Sequence, residues 1–205
     1  APLSQRTRVR LHVGTAEVLA RVILLDCDQL APGEQGLAQL RLEKPLCVAW
    51  GDRFVLRRYS PALSIGGGTV LDPHPHKHRR ADGATCKQLC SLESTDVRVV
   101  VEALLRRDED RLCTQRQLVG TCALSTSEVG AILAELHASG RVLLSGPSGD
   151  QTALHGGLAS LWLGRIASSL ADFHAEYPLR DGLRREELRQ RSARYAQSEL
   201  FDWVL

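Results

Sequence analysis

The feature that most constrains the fold is a change in the spacing of apolar residues along the chain. Up to Leu71 apolar and polar residues alternate, which is typical of strands with one buried face. From Val97 onward apolar residues recur every three or four positions, as in amphipathic helices. Pro73 and Pro75 lie between the two regions, and proline cannot donate a hydrogen bond to a strand ladder. The sequence therefore predicts a β-rich part and an α-rich part, with the boundary between Pro73 and Gly83.

The first part of the chain predicts an antiparallel β-structure. Residues 8–14, 16–25, 37–42, 51–56 and 64–71 each predict a strand, and glycine or proline marks the corners between them. In the first strand Arg8, Arg10 and His12 lie on the polar side, and His12 is expected to face solvent. Short strands with such corners favour a closed or nearly closed barrel over a flat open sheet.

The second part predicts a winged helix followed by the start of another. Three helices and a β-hairpin follow one another over residues 93–158, and in this order the third helix and the hairpin are the recognition helix and the wing. Ser94 or Thr95 is expected to cap the first helix. The pairs Thr114/Gln117 and Ser125/Glu128 predict capping boxes for the next two.

Residues 159–205 repeat this order without a wing. Ser160 is expected to cap a helix that carries Trp162, Ile166 and Phe173 on one face, and two shorter helices should follow.

Charge is distributed unevenly between the two parts. Residues 1–80 contain 12 Lys and Arg against 7 Asp and Glu, a net charge of +5, whereas residues 81–205 contain 14 against 17, a net charge of −3. A polyanion is therefore more expected on the β-rich part. A solvated surface with a slight excess of arginine explains the same numbers equally well.

Cysteine and histidine give little support for a metal site. The six cysteines include no Cys-x-x-Cys pair, which favours reduced thiols in a cytoplasmic protein over a disulfide framework. Cys86 and Cys90 near His74, His76 and His78 leave a zinc site open, and a proline-stiffened linker is the alternative; no metal site is predicted.

The ends and the apolar runs of the chain give two further expectations. The chain has no methionine and begins at Ala1, which favours a fragment of a longer protein. No apolar run is long enough to cross a bilayer, and the N-terminal residues show no signal-peptide pattern, so no membrane partner is expected.

Several stretches resemble a known family. Residues 12–18 (HVGTAEV), 51–57 (GDRFVLR) and the glycine-rich block that follows resemble the third domain of SelB, the selenocysteine-specific translation elongation factor. Residues 177–183 (YPLRDGL), with Glu186, Glu187 and Leu188 behind them, resemble the opening of its second winged helix. The resemblance implies an EF-Tu-like antiparallel β-barrel over residues 1–76 that is incomplete at its N-terminus. It further implies a linker over 77–92, a first winged helix over 93–158 and a truncated second one over 159–205.

The function implied by this resemblance is delivery of selenocysteinyl-tRNA to the ribosome. The barrel would contribute to tRNA binding, and the winged helices of this chain would form an arm. In the family this arm leads to a tip of further winged helices that bind an mRNA hairpin, and those are not present here. The chain has no Gly-x-x-x-x-Gly-Lys-Ser/Thr loop, the usual phosphate cradle. GTP and magnesium are therefore expected only in the full-length protein, and this chain is expected to hold no cofactor, to have no catalytic residues and to be no enzyme by itself.

The resemblance also selects candidate tRNA contacts in two groups. Thr15 and Glu17 stand where the family's barrel faces a tRNA stem, and the second group lies further along the chain: Arg57, Arg58, Gly66, Gly67 and Gly68. Arginine pairs with phosphate, and glycine lets the backbone approach a polyanion. The alternative is a turn threonine, a solvated glutamate and a barrel corner that needs glycine to bend.

A DNA-binding transcriptional regulator, with a β-barrel sensor and a winged-helix reader, is the alternative function. The predicted third helix argues against it, because residues 125–140 include Glu128 and Glu135 but no lysine or arginine. Cations provide most of the affinity for a phosphate backbone. The elongation-factor function is therefore preferred over the DNA-binding regulator. The first winged helix is expected to act as a spacer or as a contact for another protein.

Overall fold

One structural unit contains more strand than helix, and the other contains more helix than strand. The computed structural model describes residues 2–77, 83–107, 109–193 and 196–205. Residues 1–100 pack together with residues 120–123, and residues 101–119 pack with residues 124–205. The limits 1–76, 77–92, 93–158 and 159–205 remain predictions.

The first unit contains seven antiparallel strands, as the alternation predicted. They are β1 (Leu3–Ser4), β2 (Arg8–Val13), β3 (Ala16–Leu24), β4 (Gln29–Leu30), β5 (Ala38–Leu42), β6 (Arg53–Arg58) and β7 (Ser64–Thr69). Five of them form a sheet in the order β5-β3-β2-β6-β7, and β1 pairs with β4. Among the described strands β5 and β7 are not joined to each other, so this sheet is not closed into a barrel.

Alternation along the strands separates a core side of this sheet from an outer side. Val9 and Leu11 of β2 lie in register with Ala20 and Val18 of β3, and all four side chains are buried. The turn between these strands has two residues, of which only Gly14 has a positive φ, +55°. A glycine in this position lets the tight turn follow the twist of the hairpin.

A helix lies in the segment that was predicted to be a linker. Within residues 77–92, α1 spans Gly83–Ser91. Its packing involves Trp50, whose indole Nε1 donates to the Leu92 carbonyl at 2.8 Å. The Trp50 backbone N–H donates to the Thr121 carbonyl at 2.7 Å. These hydrogen bonds connect distant parts of the chain within the first unit, and local sequence patterns carry no information about them.

The predicted winged-helix order is confirmed. The elements are α2 (Val97–Arg107), β8 (Cys113–Thr114), α3 (Gln115–Cys122), α4 (Thr126–Ala138), β9 (Val142–Ser145) and β10 (Thr152–His155). The three strands pair in the order β8-β10-β9. Strand β8 was not predicted, because two residues are too few to show a period. Both capping boxes are present, with the Gln117 and Glu128 side chains bonded back to the Thr114 and Ser125 backbone N–H groups.

Two helix starts differ from the prediction. At α2 the cap is Asp96, whose Oδ1 accepts from the Arg98 N–H at 2.9 Å, rather than Ser94 or Thr95. The next long helix, α5, spans Gly156–Glu176 and is capped by His155 rather than Ser160. His155 follows β10 directly, so the strand, rather than a capping sequence, sets the start of α5.

His155 also closes a polar cluster at the base of the wing. Its Nδ1 accepts from the Gly157 N–H at 3.0 Å, and its Nε2 lies 3.2 Å from Oε1 of Glu102. The other carboxylate oxygen of Glu102 pairs with Arg141 at 3.0 Å. The cluster ties α2 to the residue before β9 and to the junction of β10 with α5, around the largely buried side chains of His155 and Glu102.

The last elements form the beginning of a second helical module. After α5 come α6 (Arg185–Ser192) and α7 (Ser198–Val204). Its core includes Trp162, Ile166, Leu188, Leu200 and Phe201. Trp162, Ile166 and Phe173 of α5 are all buried, so the apolar face predicted for this helix is confirmed. No described helix combines the length and the apolar character needed to cross a membrane.

Replacing His155 should separate its two roles. His155→Ala removes the cap of α5 and the partner of Glu102, so the free energy of unfolding should fall by about 1–3 kcal/mol. His155→Asn should recover part of this loss, because asparagine also caps helix N-termini. Urea unfolding followed by circular dichroism would measure both. His174→Ala, an exposed site on α5, is the matched control, and equal stability of all four proteins would contradict the assignment.

Candidate nucleic-acid interface

Six arginines lie on the outer side of the five-stranded sheet, opposite its core, and five of them face another arginine across a strand pair, the exception being Arg53, which faces Thr69. Arg8 and Arg10 alternate with the buried Val9 and Leu11 along β2. Arg21 of β3, Arg41 of β5 and Arg57 of β6 occupy the same side by their register. We call the surface formed by Arg8, Arg10, Arg21, Arg41 and Arg57 the arginine face.

Arginines of the arginine face stand directly opposite one another on neighbouring strands. Arg21 lies in register with Arg8 on one neighbouring strand and with Arg41 on the other, and Arg10 lies in register with Arg57. Neighbouring strands are about 4.8 Å apart, and like charges in such positions repel each other. The arrangement costs stability, and it concentrates a positive potential that favours a polyanion.

Two carboxylates offset part of this charge. Nε and Nη2 of Arg8 donate to the two carboxylate oxygens of Glu43 at 2.8 and 2.7 Å. The hydrogen bond from Arg8 lowers the pKa of Glu43 below its usual value. Arg10 pairs with Glu17 of β3. In contrast, Arg21, Arg41 and Arg57 form no ion pair with any residue in the described part of the chain.

Tyr59 adds an aromatic group to the arginine face. The Arg8 guanidinium lies 4.6 Å from the centre of the Tyr59 ring and that of Arg10 lies 5.5 Å from it, both within cation–π range. The Tyr59 carbonyl accepts from Nε of Arg10 at 3.3 Å. The ring orients two guanidinium groups and is itself 43% exposed.

Of the first predicted group, Glu17 lies on the arginine face and Thr15 lies at the turn that precedes β3. Thr15 is exposed. Glu17 is engaged with Arg10, so it acts as a counter-ion within the surface. The His12 side chain, expected to face solvent, is only 26% exposed. Its Nε2 is enclosed without a hydrogen-bond partner and lies 3.7 Å from Glu17. The register of β2 with β3 explains the difference, because it places His12 opposite Glu17.

The structure separates Arg57 from Arg58. Arg57 is opposite Arg10 on the outer side, whereas Arg58 is opposite Val9, whose side chain is fully buried on the core side. Both arginines are exposed. Only Arg57 belongs to the arginine face, and Arg58 provides an equal charge on the other side.

Close packing against Phe54 accounts for two of the three predicted glycines. A Cβ on Gly67 would lie 2.5 Å from the Phe54 carbonyl oxygen, and one on Gly68 would lie 2.7 Å from the Phe54 ring. A Cβ on Gly66 would meet nothing within 4 Å. Gly67 and Gly68 therefore let β7 approach β6, which supports the packing alternative at these two positions.

Sequence reasoning did not select four members of the arginine face. Arg8 and Arg10 were visible as the polar side of a strand. Arg21 and Arg41 gave no signal of their own, because only strand pairing brings them beside Arg8. Tyr59 stands outside any strand pattern and was missed for the same reason.

A metal site finds no support in the described residues. They contain no group of three or more His, Cys, Asp or Glu side chains placed to hold an ion. His78, one of the residues that left a zinc site open, lies outside the described residues.

Comparison with known proteins supports the family resemblance at both ends of the chain. Residues 1–77 match the model of the selenocysteine-specific elongation factor β-barrel domain, and residues 167–205 match that of an elongation factor SelB winged helix. The chain resembles SelB. Its first 77 residues, which contain the arginine face, therefore correspond to the β-barrel domain of SelB.

Two curated relatives of this SelB-like chain are named selenocysteine-specific elongation factors. The selenocysteine-specific elongation factor of Desulfomicrobium baculatum is 30% identical over 202 residues, which cover 91% of this chain and 29% of that protein. The Escherichia coli K12 factor is 28% identical over 195 residues, covering 92% and 28%. The chain thus spans less than a third of these relatives. Neither relative is a transcriptional regulator.

A solved structure supports the fold. The crystal structure of the bacterial selenocysteine-specific elongation factor EF-Sec matches 99% of this SelB-like chain and 30% of its own, with a TM-score of 0.66 and 17% identity. The β-sheet followed by winged-helix elements is therefore an arrangement that EF-Sec shares.

Alanine at the three glycines should distinguish packing from open surface. Gly67→Ala and Gly68→Ala should each lower the free energy of unfolding by about 1–3 kcal/mol, because the added methyl group meets Phe54. Gly66→Ala should leave it within about 0.5 kcal/mol of the wild type. Urea unfolding measures all three. A Gly66 variant as unstable as the Gly67 variant would contradict the packing explanation.

Proposed function

We propose that this chain is the part of a selenocysteine-specific elongation factor in which a β-domain holds the stem of selenocysteinyl-tRNA. The observation that carries the proposal is the in-register pairing of Arg10 with Arg57 and of Arg21 with Arg8 and Arg41. Such pairing destabilises the protein alone, and phosphate groups between the arginines would reverse the penalty.

Arginine suits this task better than lysine. Its planar guanidinium donates two parallel hydrogen bonds to a phosphate, and phosphate contacts fix the position of a nucleic acid without reading its sequence. An arginine face of this kind would bind a tRNA stem by its backbone. The choice of the selenocysteine tRNA would require contacts from other parts of the longer protein.

We further propose that the helical unit serves as an arm toward the ribosome and an mRNA hairpin rather than as a nucleic-acid reader. Helix α4, in the recognition position, contains Glu128 and Glu135 and no lysine or arginine. A helix without cations releases no counterions from a phosphate backbone and gains little affinity from it. This favours a spacer over the DNA-binding regulator.

GTP and magnesium have no place in this part of the proposal. The sequence contains no phosphate loop of the Gly-x-x-x-x-Gly-Lys-Ser/Thr type. The relatives extend well beyond the region that this chain matches, and we place nucleotide binding and hydrolysis in that remainder.

Arg57→Ala should weaken binding of a selenocysteine tRNA transcript about tenfold, the order expected for loss of one charge-assisted hydrogen bond to phosphate. The magnitude of the salt slope should fall by about one, because one cation fewer contacts the backbone. Filter binding at about 50 and 200 mM salt, the range over which phosphate contacts weaken most visibly, measures both quantities.

Arg58→Ala is the matched control for this experiment. It removes the same charge from the other side of the sheet, so its affinity and salt slope should stay close to the wild type. Equal effects of the two substitutions would indicate general electrostatics, and no effect of Arg57→Ala would remove the arginine face from the tRNA site.

A further inference from the structure

Two carboxylates stand among the five cations of the arginine face, and the proposed function gives them no role. Glu43 follows β5 and Glu17 belongs to β3, and each engages one arginine of β2. A surface that only needed to attract phosphate would gain nothing from them.

Glu43 occupies one of the two edges of Arg8 that could bind a phosphate. Nε and Nη2 of Arg8 form one fork, and both donate to the Glu43 carboxylate. The Tyr59 ring covers the flat side of the same guanidinium. One of the two donor edges with which this guanidinium could form bidentate hydrogen bonds to phosphate is therefore already filled.

Glu17 has the same relation to Arg10. Nη1 of Arg10 donates to Oε1 of Glu17, while Nε donates to the Tyr59 carbonyl. Arg21, Arg41 and Arg57 carry no such partner among the described residues. The arginine face therefore has two kinds of cation: Arg8 and Arg10 on the central strand are paired with a carboxylate, whereas within the described ranges those on β3, β5 and β6 are not.

We propose that Glu43 and Glu17 are built-in competitors of RNA phosphate, which keep Arg8 and Arg10 from binding RNA of unrelated sequence. This inference rests on the proposed function. An RNA that offers phosphate alone meets only the three unpaired arginines, and an RNA held by further contacts displaces the carboxylates and gains two more.

The exchange is physically easy because both pairs are exposed at the surface. Side chains of the four residues are between 35% and 44% exposed, and exposed ion pairs contribute little to stability. A carboxylate in such a pair can yield to a phosphate without unfolding the strand, so the pairs can tune affinity without fixing the fold.

Glu17→Gln combined with Glu43→Gln tests the inference with an RNA duplex of about 12 base pairs and unrelated sequence as the probe. The double variant should bind this duplex about tenfold more tightly than the wild type at about 50 mM salt. This advantage should shrink about tenfold at about 200 mM salt, because two more cations then contribute to counterion release.

Two controls show whether tighter binding comes from the release of Arg8 and Arg10 or from the general change in net charge. Glu34→Gln removes a carboxylate from the loop between β4 and β5, where it accepts from the Ala31 N–H, and it should leave duplex binding nearly unchanged. Arg8→Gln added to Glu43→Gln should cancel the gain from Glu43→Gln alone. Persistence of that gain without Arg8 would overturn the competitor role.

The outcomes also distinguish this inference from the proposed function. If Arg57 is needed for RNA binding but the double variant binds the duplex like the wild type, the competitor role is wrong and the proposed function stands. If neither the wild type nor the double variant binds RNA at the lower salt concentration, the competitor role and the proposed function are both wrong. Should the double variant fail to fold, each single variant carries the same test, with about half the change in salt slope.

Discussion

The antiparallel register of β2 with β3 and β6 is the constraint on which the first unit depends. It places Val9 beside Ala20 and Leu11 beside Val18 and Leu56, on the side that forms the core. The same register places the intervening arginines opposite other arginines. A slip by one residue would exchange the two sides, so the core and the arginine face are consequences of a single alignment.

Charge repulsion on the arginine face is tolerated because the core fixes the strands that carry it. Buried side chains hold β2, β3 and β6 in place, and Glu17, Glu43 and Tyr59 then absorb part of the excess positive charge. The surface therefore keeps a net positive charge without unfolding the strands that carry it. In the proposed function the phosphates of a polyanion would lie between neighbouring cations and offset their repulsion.

The helical unit follows a different logic. Its recognition-position helix α4 is acidic, and the buried contact between His155 and Glu102 holds the base of the wing together. The two units therefore suit different tasks in the proposed function: the β-part offers a phosphate-binding surface and the helical part offers a weakly interacting extension. This division agrees with the charge imbalance between the two parts of the sequence.

Local patterns determined the strands, the winged-helix order and the two capping boxes, because each depends on residues within a few positions of one another. Tertiary structure decided what such patterns do not contain. It started α5 at His155 instead of Ser160, formed α1 where a linker was expected, and assigned Arg57 and Arg58 to opposite sides. It also assembled the arginine face from four strands, since residues as distant as Arg10 and Arg57 become neighbours only when backbone hydrogen bonds fix the register between them.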